Sequence, residues 1–432
     1  MYELINFLIC YARYMHISKI RAHEIIASGG YPTLEVELLL SDGSQGKASV
    51  PYGASAGSHE ATVLVDGDTQ RYDGKGMLIA IEHVEQILAP VITKKTFSTQ
   101  RDLDTTIIGI DGTSNKKKLG GNTILAVSLA YAKAVAHSRK QPLYAYILEE
   151  FKLPSVRTLP KPMMVTIEGG KHADNSTDLQ EFCLSAIGNK PTSEHIRATL
   201  ETYHQVKKIL QKDGFSTNVG NEGAFAPSGL PSNEKPLEIL TAAIKQAGYT
   251  PGSDIGISID PAANEYYVNN SYNLKLEKTS YDSKQMIEYY RTWLQKYPFV
   301  SIEDPLAEDD WDHWPAMQKL CAEYNVPLIG DDLTVTSTDR LAKAIRLSAV
   351  SGVLIKLNQI GSLTETVECC QLAQKHNLMI VPSHRGGGET NDSSMVDLAV
   401  AVGAAYIKVG PTRGERVSKY NRLLQIEREA QS

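Results

Sequence analysis

Between residues 255 and 410, six apolar runs each carry a charged or titratable residue at or near their end. They are IGISIDP with Asp260, FVSIEDP with Glu303, PLIGDDL with Asp331, VLIKLNQ with Lys356, MIVPSHR with His384 and AAYIKVG with Lys408. Short runs that are apolar throughout read as strands buried on both faces. After one wider interval they recur about every 25 residues, the length of a strand, a helix and two turns. The intervening segments are helical in pattern. MIEYYRTWLQKY sets Met286, Tyr290, Trp293, Leu294 and Tyr297 on one face, and SLTETVECCQLAQKH opens with Ser362 and Glu365 spaced as a capping box. This alternation predicts an α/β fold with a parallel sheet, and the number of units favours a modified (β/α)8 TIM-like barrel over an open sheet. No signature recurs from unit to unit, which argues against a solenoid.

Upstream the pattern is mixed. PTLEVELLL alternates like a half-buried strand, GNTILAVSLAYAKAVAHS reads as an Ala-rich helix, and together they predict a smaller α+β N-terminal domain. Three prolines within LPSVRTLPKP interrupt every periodicity and mark the boundary. The expected division of the 432 residues is an extension at 1–14 with Met15 as the effective start, an α+β domain at 15–153 and a barrel at 154–432.

In a barrel the C-terminal ends of the strands converge on one mouth. A carboxylate driven into that mouth costs several kcal/mol unless a cation or hydrogen bonds offset it. A single Asp after a strand is more often a helix N-cap, and Asp304 and Asp332 are read that way. Asp260, Glu303 and Asp331, from three successive units, are different. Three oxygen ligands without a cysteine suit a hard cation such as Mg²⁺ better than zinc. Lys356 then becomes a candidate base, its pKa expected to be lowered by desolvation and by the nearby charges of Lys408 and the metal.

The net charge of −6 argues against a nucleic-acid partner, and the basic run Lys116, Lys117, Lys118 reads as a solvated loop. Five cysteines, odd in number and without a C-x-x-C pair, fit a reduced compartment. No run approaches the roughly 18 apolar residues of a membrane span, and the N-terminus lacks a basic leading region and a cleavage site. A cytoplasmic protein with no membrane partner is expected.

SIEDPLAEDDW, GDDLTVT, KLNQIGSLTE, PSHR with the following GET, and TRGER with NRLLQIE resemble the enolase family, as do VPYGASAGSHEA, DGTSNKKKLGGN and DLQEF upstream. The resemblance runs from Met15 to Glu429. It implies a reaction between 2-phospho-D-glycerate and phosphoenolpyruvate plus water, two Mg²⁺ per site, and a homodimer or homo-octamer. It implies that Asp260, Glu303 and Asp331 hold the first metal, that Lys356 takes the C2 proton, and that Glu222 protonates the departing 3-hydroxyl with Glu181 and Gln180 beside it. Lys408 would bind the substrate carboxylate, Arg385 its phosphate, His384 and His172 would line the pocket, and Ser55 would reach the second metal as a lid closes.

Some positions depart from the family pattern. Gly29 replaces an arginine in the usual Ser-Arg-Gly-Asn-Pro-Thr, Asn221 an aspartate before the acid, and Gly386 a serine after Arg385. Glu168 replaces an asparagine, and there is an extra glycine among Gly386, Gly387 and Gly388. Backbone amides around Gly386 are expected to take over from the missing hydroxyl in binding phosphate. The rival readings are another enolase-superfamily enzyme that dehydrates or epimerises an acid sugar, and a binding protein that kept the fold without catalysis.

Overall fold

The computed structural model describes residues 15–53, 57–154 and 158–430. The extension 1–14, Ser55 and residues 155–157 of the expected boundary lie outside the described residues.

The N-terminal part is built on an antiparallel sheet in the order β3-β2-β1-β5. Its strands are β1 (Met15–Ile26), β2 (Pro32–Leu40), β3 (Gln45–Ser49) and β5 (Thr96–Phe97), with the two-residue β4 (Tyr52–Gly53) apart from it. β2 buries alternate residues, as PTLEVELLL predicts. The helix Gly121–Ser138 is buried on nearly every side. An apolar stretch of that kind has no solvent face to present, and this one lies between the small sheet and the barrel. At Gly46 of β3 the two elements meet backbone to backbone, since a Cβ there would stand 1.9 Å from the Ala130 carbonyl oxygen and 2.4 Å from the Ala134 nitrogen.

The remainder forms an eight-stranded sheet. Its members are β6 (Lys161–Glu168), β7 (Glu181–Ala186), β8 (Ile255–Asp260), β12 (Phe299–Glu303), β13 (Leu328–Gly330), β14 (Gly352–Ile355), β15 (Met379–Pro382) and β17 (Tyr406–Val409). Between β8 and β12 a small three-stranded sheet is inserted, of β9 (Tyr267–Val268), β10 (Ser271–Leu274) and β11 (Thr279–Tyr281). The large sheet runs β15-β14-β13-β12-β8-β7-β6-β17, and a parallel bridge between Ser383 and Lys408 brings its two ends together into a nearly closed barrel. Met163, Val165, Cys183, Ile329, Leu354, Val381 and Tyr406 pack together in a separate apolar cluster from the barrel strands.

One strand breaks the parallel pattern. β7 pairs antiparallel with both β6 and β8, because it follows β6 through a loop instead of a crossover helix, and only a crossover returns the chain in parallel. Its first residue therefore faces the mouth. Glu168, Glu181 and Asp260 stand opposite one another across three strands.

The helix Ser283–Leu294 buries Met286, Tyr290, Trp293 and Leu294 as its periodicity predicts, and Tyr297 just beyond it is buried as well. At Ser362 only half of the expected capping box forms. Ser362 caps the Glu365 N–H, but the Glu365 carboxylate takes the Ser362 hydroxyl and the Lys116 ammonium, at 2.9 Å, instead of the backbone. Lys116 is buried, which corrects the reading of its run as solvated, while Lys117 and Lys118 are exposed. Neither Asp304 nor Asp332 caps a helix. Asp304, held at φ 36°, accepts the N–H groups of Asp331 and Asp332 at 2.9 and 2.6 Å, so it fixes the turn that follows β13.

The small domain grips the barrel loop after β15. The two-residue β16 (Gly387–Gly388) pairs with β4, Ser28 N–H donates to the Glu389 carbonyl, and Lys133 reaches Asp392 at 2.6 Å. A Cβ at Gly29 would stand 2.3 Å from the Gly387 carbonyl oxygen, so the strand around the extra glycine fills the space an arginine side chain would need. Among the described residues no helix is long and apolar enough to cross a membrane, and Cys183, Cys321, Cys369 and Cys370 are buried free thiols.

The contact at Gly46 yields a test. Gly46→Ala places a methyl group inside helix backbone, and overpacking of this kind costs about 3 kcal/mol. Urea denaturation should show that loss; a variant as stable as the wild type would mean the sheet and helix are not packed this closely.

Candidate active site

The strand ends deliver their acids to one point. Oxygens of Asp260, Glu303 and Asp331 all lie within 4.8 Å of one another, and all three residues are buried. Lys408, buried on β17, supplies the positive charge. Its ammonium donates to Asp260 Oδ2 at 2.8 Å and to both Glu303 oxygens at 2.8 Å, and lies 2.7 Å from Glu181 Oε2. Burial, then the charge of Asp260, holds Glu303 well above the usual carboxylate range. Burial opposes the charge on Lys408 too, but Asp260, Glu181 and Glu303 outweigh it and raise its pKa.

Lys356, immediately after β14, donates to Asp331 Oδ2 at 2.5 Å. Gln359 holds the other oxygen, its amide donating to Asp331 Oδ1 at 2.7 Å. The Gln359 carbonyl accepts from the Thr336 hydroxyl at 2.7 Å, and that hydroxyl accepts the Lys356 N–H at 3.0 Å. Arg385 is buried beside this group, with Nη1 donating to both Glu60 oxygens at 3.0 and 3.1 Å.

Across Lys408 the chain of contacts continues into a second cluster. Glu181 Oε1 lies 3.5 Å from His172 Nδ1, which lies 3.6 Å from Glu222 Oε1, and His384 Nε2 approaches the same oxygen at 3.3 Å. All four residues are buried. Burial lowers the pKa of both imidazoles and so keeps them neutral near pH 7. Glu222 Oε2, Gln180 Oε1 and His384 Nδ1 are buried without a hydrogen-bond partner among the described residues. Buried polar atoms are normally satisfied, and such exceptions collect where a ligand supplies the partner.

Matches to family models agree with this geometry. The description "Enolase, C-terminal TIM barrel domain" fits residues 156–432, and "Enolase, N-terminal domain" fits residues 17–147. The chain belongs to the enolase family.

In this enolase-family chain the site meets the sequence expectations in position more than in partnership. Asp260, Glu303, Asp331, Lys356, His384 and Lys408 all reach the mouth, and Glu181, Gln180, Glu222, His172 and Arg385 join them. In the metal-free protein, however, the pKa of Lys356 is raised. Burial, Arg385 and Lys408 act downward as expected, but the carboxylate of Asp331 against the amine outweighs them. Lys408 engages three acids and Arg385 faces Glu60, so the groups expected to hold substrate carboxylate and phosphate are paired within the protein. Gly386 lies against the acid cluster: a Cβ there would stand 2.7 Å from His172 Nε2 and 2.8 Å from Glu222 Oε1. The family's serine at 386 would therefore collide with His172 and Glu222 in this arrangement. Ser55 lies outside the described residues.

Sequence reasoning passed over Glu60, Gln359 and Thr336. Glu60 and Gln359 sit within the motifs GSHEA and KLNQIG, but nothing local shows that they point at Arg385 and Asp331.

The donor set fits a hard divalent cation: three buried carboxylates converge, with an ammonium already balancing their charge. Lys408→Met should destabilise the metal-free protein at pH 7 by about 3 to 5 kcal/mol, the cost of leaving buried charge unpaired. Glu303 and Glu181 titrate above their ordinary values, so they take up protons as pH falls and the loss should shrink toward pH 5. Urea denaturation at the two pH values checks both the size and the direction.

Proposed function

We propose that this chain interconverts 2-phospho-D-glycerate with phosphoenolpyruvate and water, the chemistry of glycolysis and gluconeogenesis. The observation that supports it is the run of neighbouring side chains that leads across the mouth from an amine to an acid: Lys356, Asp331, the Asp260 and Glu303 carboxylates, Lys408, Glu181, His172 and Glu222. One end of that line removes a proton from carbon and the other returns a proton to oxygen.

Lys356 takes the C2 proton of the substrate. As the C2–C3 double bond forms and the C3–O bond breaks, Glu222 gives its proton to the departing hydroxyl, which leaves as water. Asp260, Glu303 and Asp331 would hold Mg²⁺, whose charge offsets the negative charge that builds on a carboxylate substrate when carbon is deprotonated. Lys356 must be neutral to act. Drawing the Asp331 carboxylate away from the amine removes the larger of the two charges that raise its pKa, Glu303 being the other, and leaves burial, Arg385 and Lys408 to lower it. Arg385 is assigned to the phosphate and Lys408 to the substrate carboxylate, each exchanging part of its internal pairing for substrate. His172, His384, Glu181 and Gln180 shape the acid side and exclude water.

Purified protein with 2-phosphoglycerate and Mg²⁺ should develop the ultraviolet absorbance of the enol phosphate, and EDTA should abolish it. Lys356→Ala should lower kcat by about 10²- to 10⁴-fold, the range for a general base, while Mg²⁺ binding measured by calorimetry stays within a few fold. Retained turnover in Lys356→Ala would remove this lysine as the base. Turnover of an acid sugar with none of 2-phosphoglycerate would favour the acid-sugar enzyme instead.

A further inference from the structure

The stretch TRGER begins three residues after β17, and the scheme above gives its first two residues no part. Both hold the segment that carries the proposed acid. Arg413 Nη1 donates to the Gly220 and Asn221 carbonyls at 3.2 and 2.9 Å, and the Thr412 hydroxyl donates to the Gly223 carbonyl at 2.9 Å. The carbonyls on either side of Glu222 are therefore taken by one loop. Glu222 itself lies against the same loop, since a Cβ at Gly410 would stand 2.1 Å from its carbonyl oxygen. On the inner side the Glu168 carboxylate accepts the N–H groups of Glu222 and Ala224. The segment is thus fixed by its N–H groups from β6 and by its carbonyls from the loop after β17.

The outer hold is made at a strained position. Arg413 has φ 71° and ψ 144°, a conformation that a residue with a side chain rarely adopts. Strain of this kind persists only where the surroundings impose it, and it collects at functional sites. Here the imposing contacts are the two carbonyls that the guanidinium reaches. Resting on the assignment of Glu222 as the acid, we propose that Arg413 is a positioning residue for the acid step: it fixes, from outside the barrel, the backbone from which Glu222 reaches the departing oxygen. Its guanidinium suits the task because it offers several N–H donors in one plane and keeps its charge at any working pH.

Arg413→Met removes the donors and keeps most of the bulk, while Arg413→Lys keeps a cation able to donate to carbonyls. In D2O the base step can be read apart from the acid step: Lys356 takes the C2 proton, exchanges it with solvent and returns deuterium to C2, and the C3–O bond stays intact. Arg413→Met should lower kcat for formation of the enol phosphate by about 10²-fold, with KM little changed, while deuterium entry at C2 of 2-phosphoglycerate stays within a few fold of the wild type. Arg413→Lys should recover part of the lost elimination. Wild-type elimination in Arg413→Met, equal loss of elimination and C2 exchange, or no recovery with lysine would each overturn the proposal. Amide hydrogen exchange read by mass spectrometry needs no turnover: residues 220–224 should exchange about tenfold faster in Arg413→Met, the worth of one charge-assisted hydrogen bond, with β6 and β17 unchanged. Unchanged exchange at 220–224 would overturn the hold itself. If the wild type does not turn over 2-phosphoglycerate, the assigned reaction fails and the acid step with it, and amide exchange still decides whether Arg413 fixes the segment. Should Arg413→Met not fold, Arg413→Gln, which lacks the charge and the length, carries the same tests.

Discussion

One ammonium group holds this barrel mouth together. Lys408 extends from β17 to acids on β7, β8 and β12, so a single buried cation balances carboxylates from three other strands. Buried carboxylates left to themselves would ionise only at large cost, or not at all. The barrel therefore keeps its acids close without a metal. Lys408 and Arg385 are already paired within the protein, so on the proposed reading substrate binding exchanges internal anions for those of the ligand.

The small domain completes the site from outside. Asp104, on the helix Gln100–Asp111, accepts the Thr364 N–H and hydroxyl at 3.0 and 2.6 Å, and Lys116 reaches Glu365 on the same barrel helix. Burial raises the Asp104 carboxyl to about 6, against the hydrogen bonds from Thr364, Ser128 and Gln100 that favour its ionised form. Glu60 of this domain faces Arg385, and the pairing of β4 with β16 ties the same domain to the loop that follows Arg385. Glu60, which pairs with Arg385, and Gln359, which holds Asp331, thus belong to different domains and meet at 3.4 Å.

The strands of the barrel were legible because burial on both faces leaves an uninterrupted apolar run, and because a charged residue at the end of such a run has few reasons to be there. β6 and β7 were not legible in this way. No helix separates them, so the recurrence of about 25 residues passes over them, and β7 presents its first residue to the mouth where every other strand presents its last. Glu181 was consequently found only by resemblance. Lys116 was misread for a related reason: a run of three lysines says nothing about Glu365, which is distant in sequence and adjacent in space. The contact that raises the pKa of Lys356 in the metal-free protein was not legible, because the sequence showed the cations near it and not which carboxylate touched it.

The departures from the family pattern make physical sense together. Gly29 abuts the carbonyl of Gly387, Gly386 abuts His172 and Glu222, and Glu168 binds the backbone of the segment that begins at Gly220. Within that segment the Asn221 N–H donates to the His172 carbonyl at 3.3 Å, and the Asn221 carbonyl accepts from Arg413. Each altered residue touches either another altered residue or the acid cluster, and none forms a contact with Asp260, Glu303, Asp331 or Lys356. A carboxyl lost at 221 and a carboxyl present at 168 leave the charge around Glu222 nearly conserved while moving it from a loop to a strand end. Removing the side chain at 386 opens the space into which His172 and Glu222 pack. The departures gather on the side of the pocket around His172 and Glu222, where geometry can be rebuilt by exchanging neighbours. On the other side three carboxylates and two amines constrain one another, and the residues there keep the family pattern.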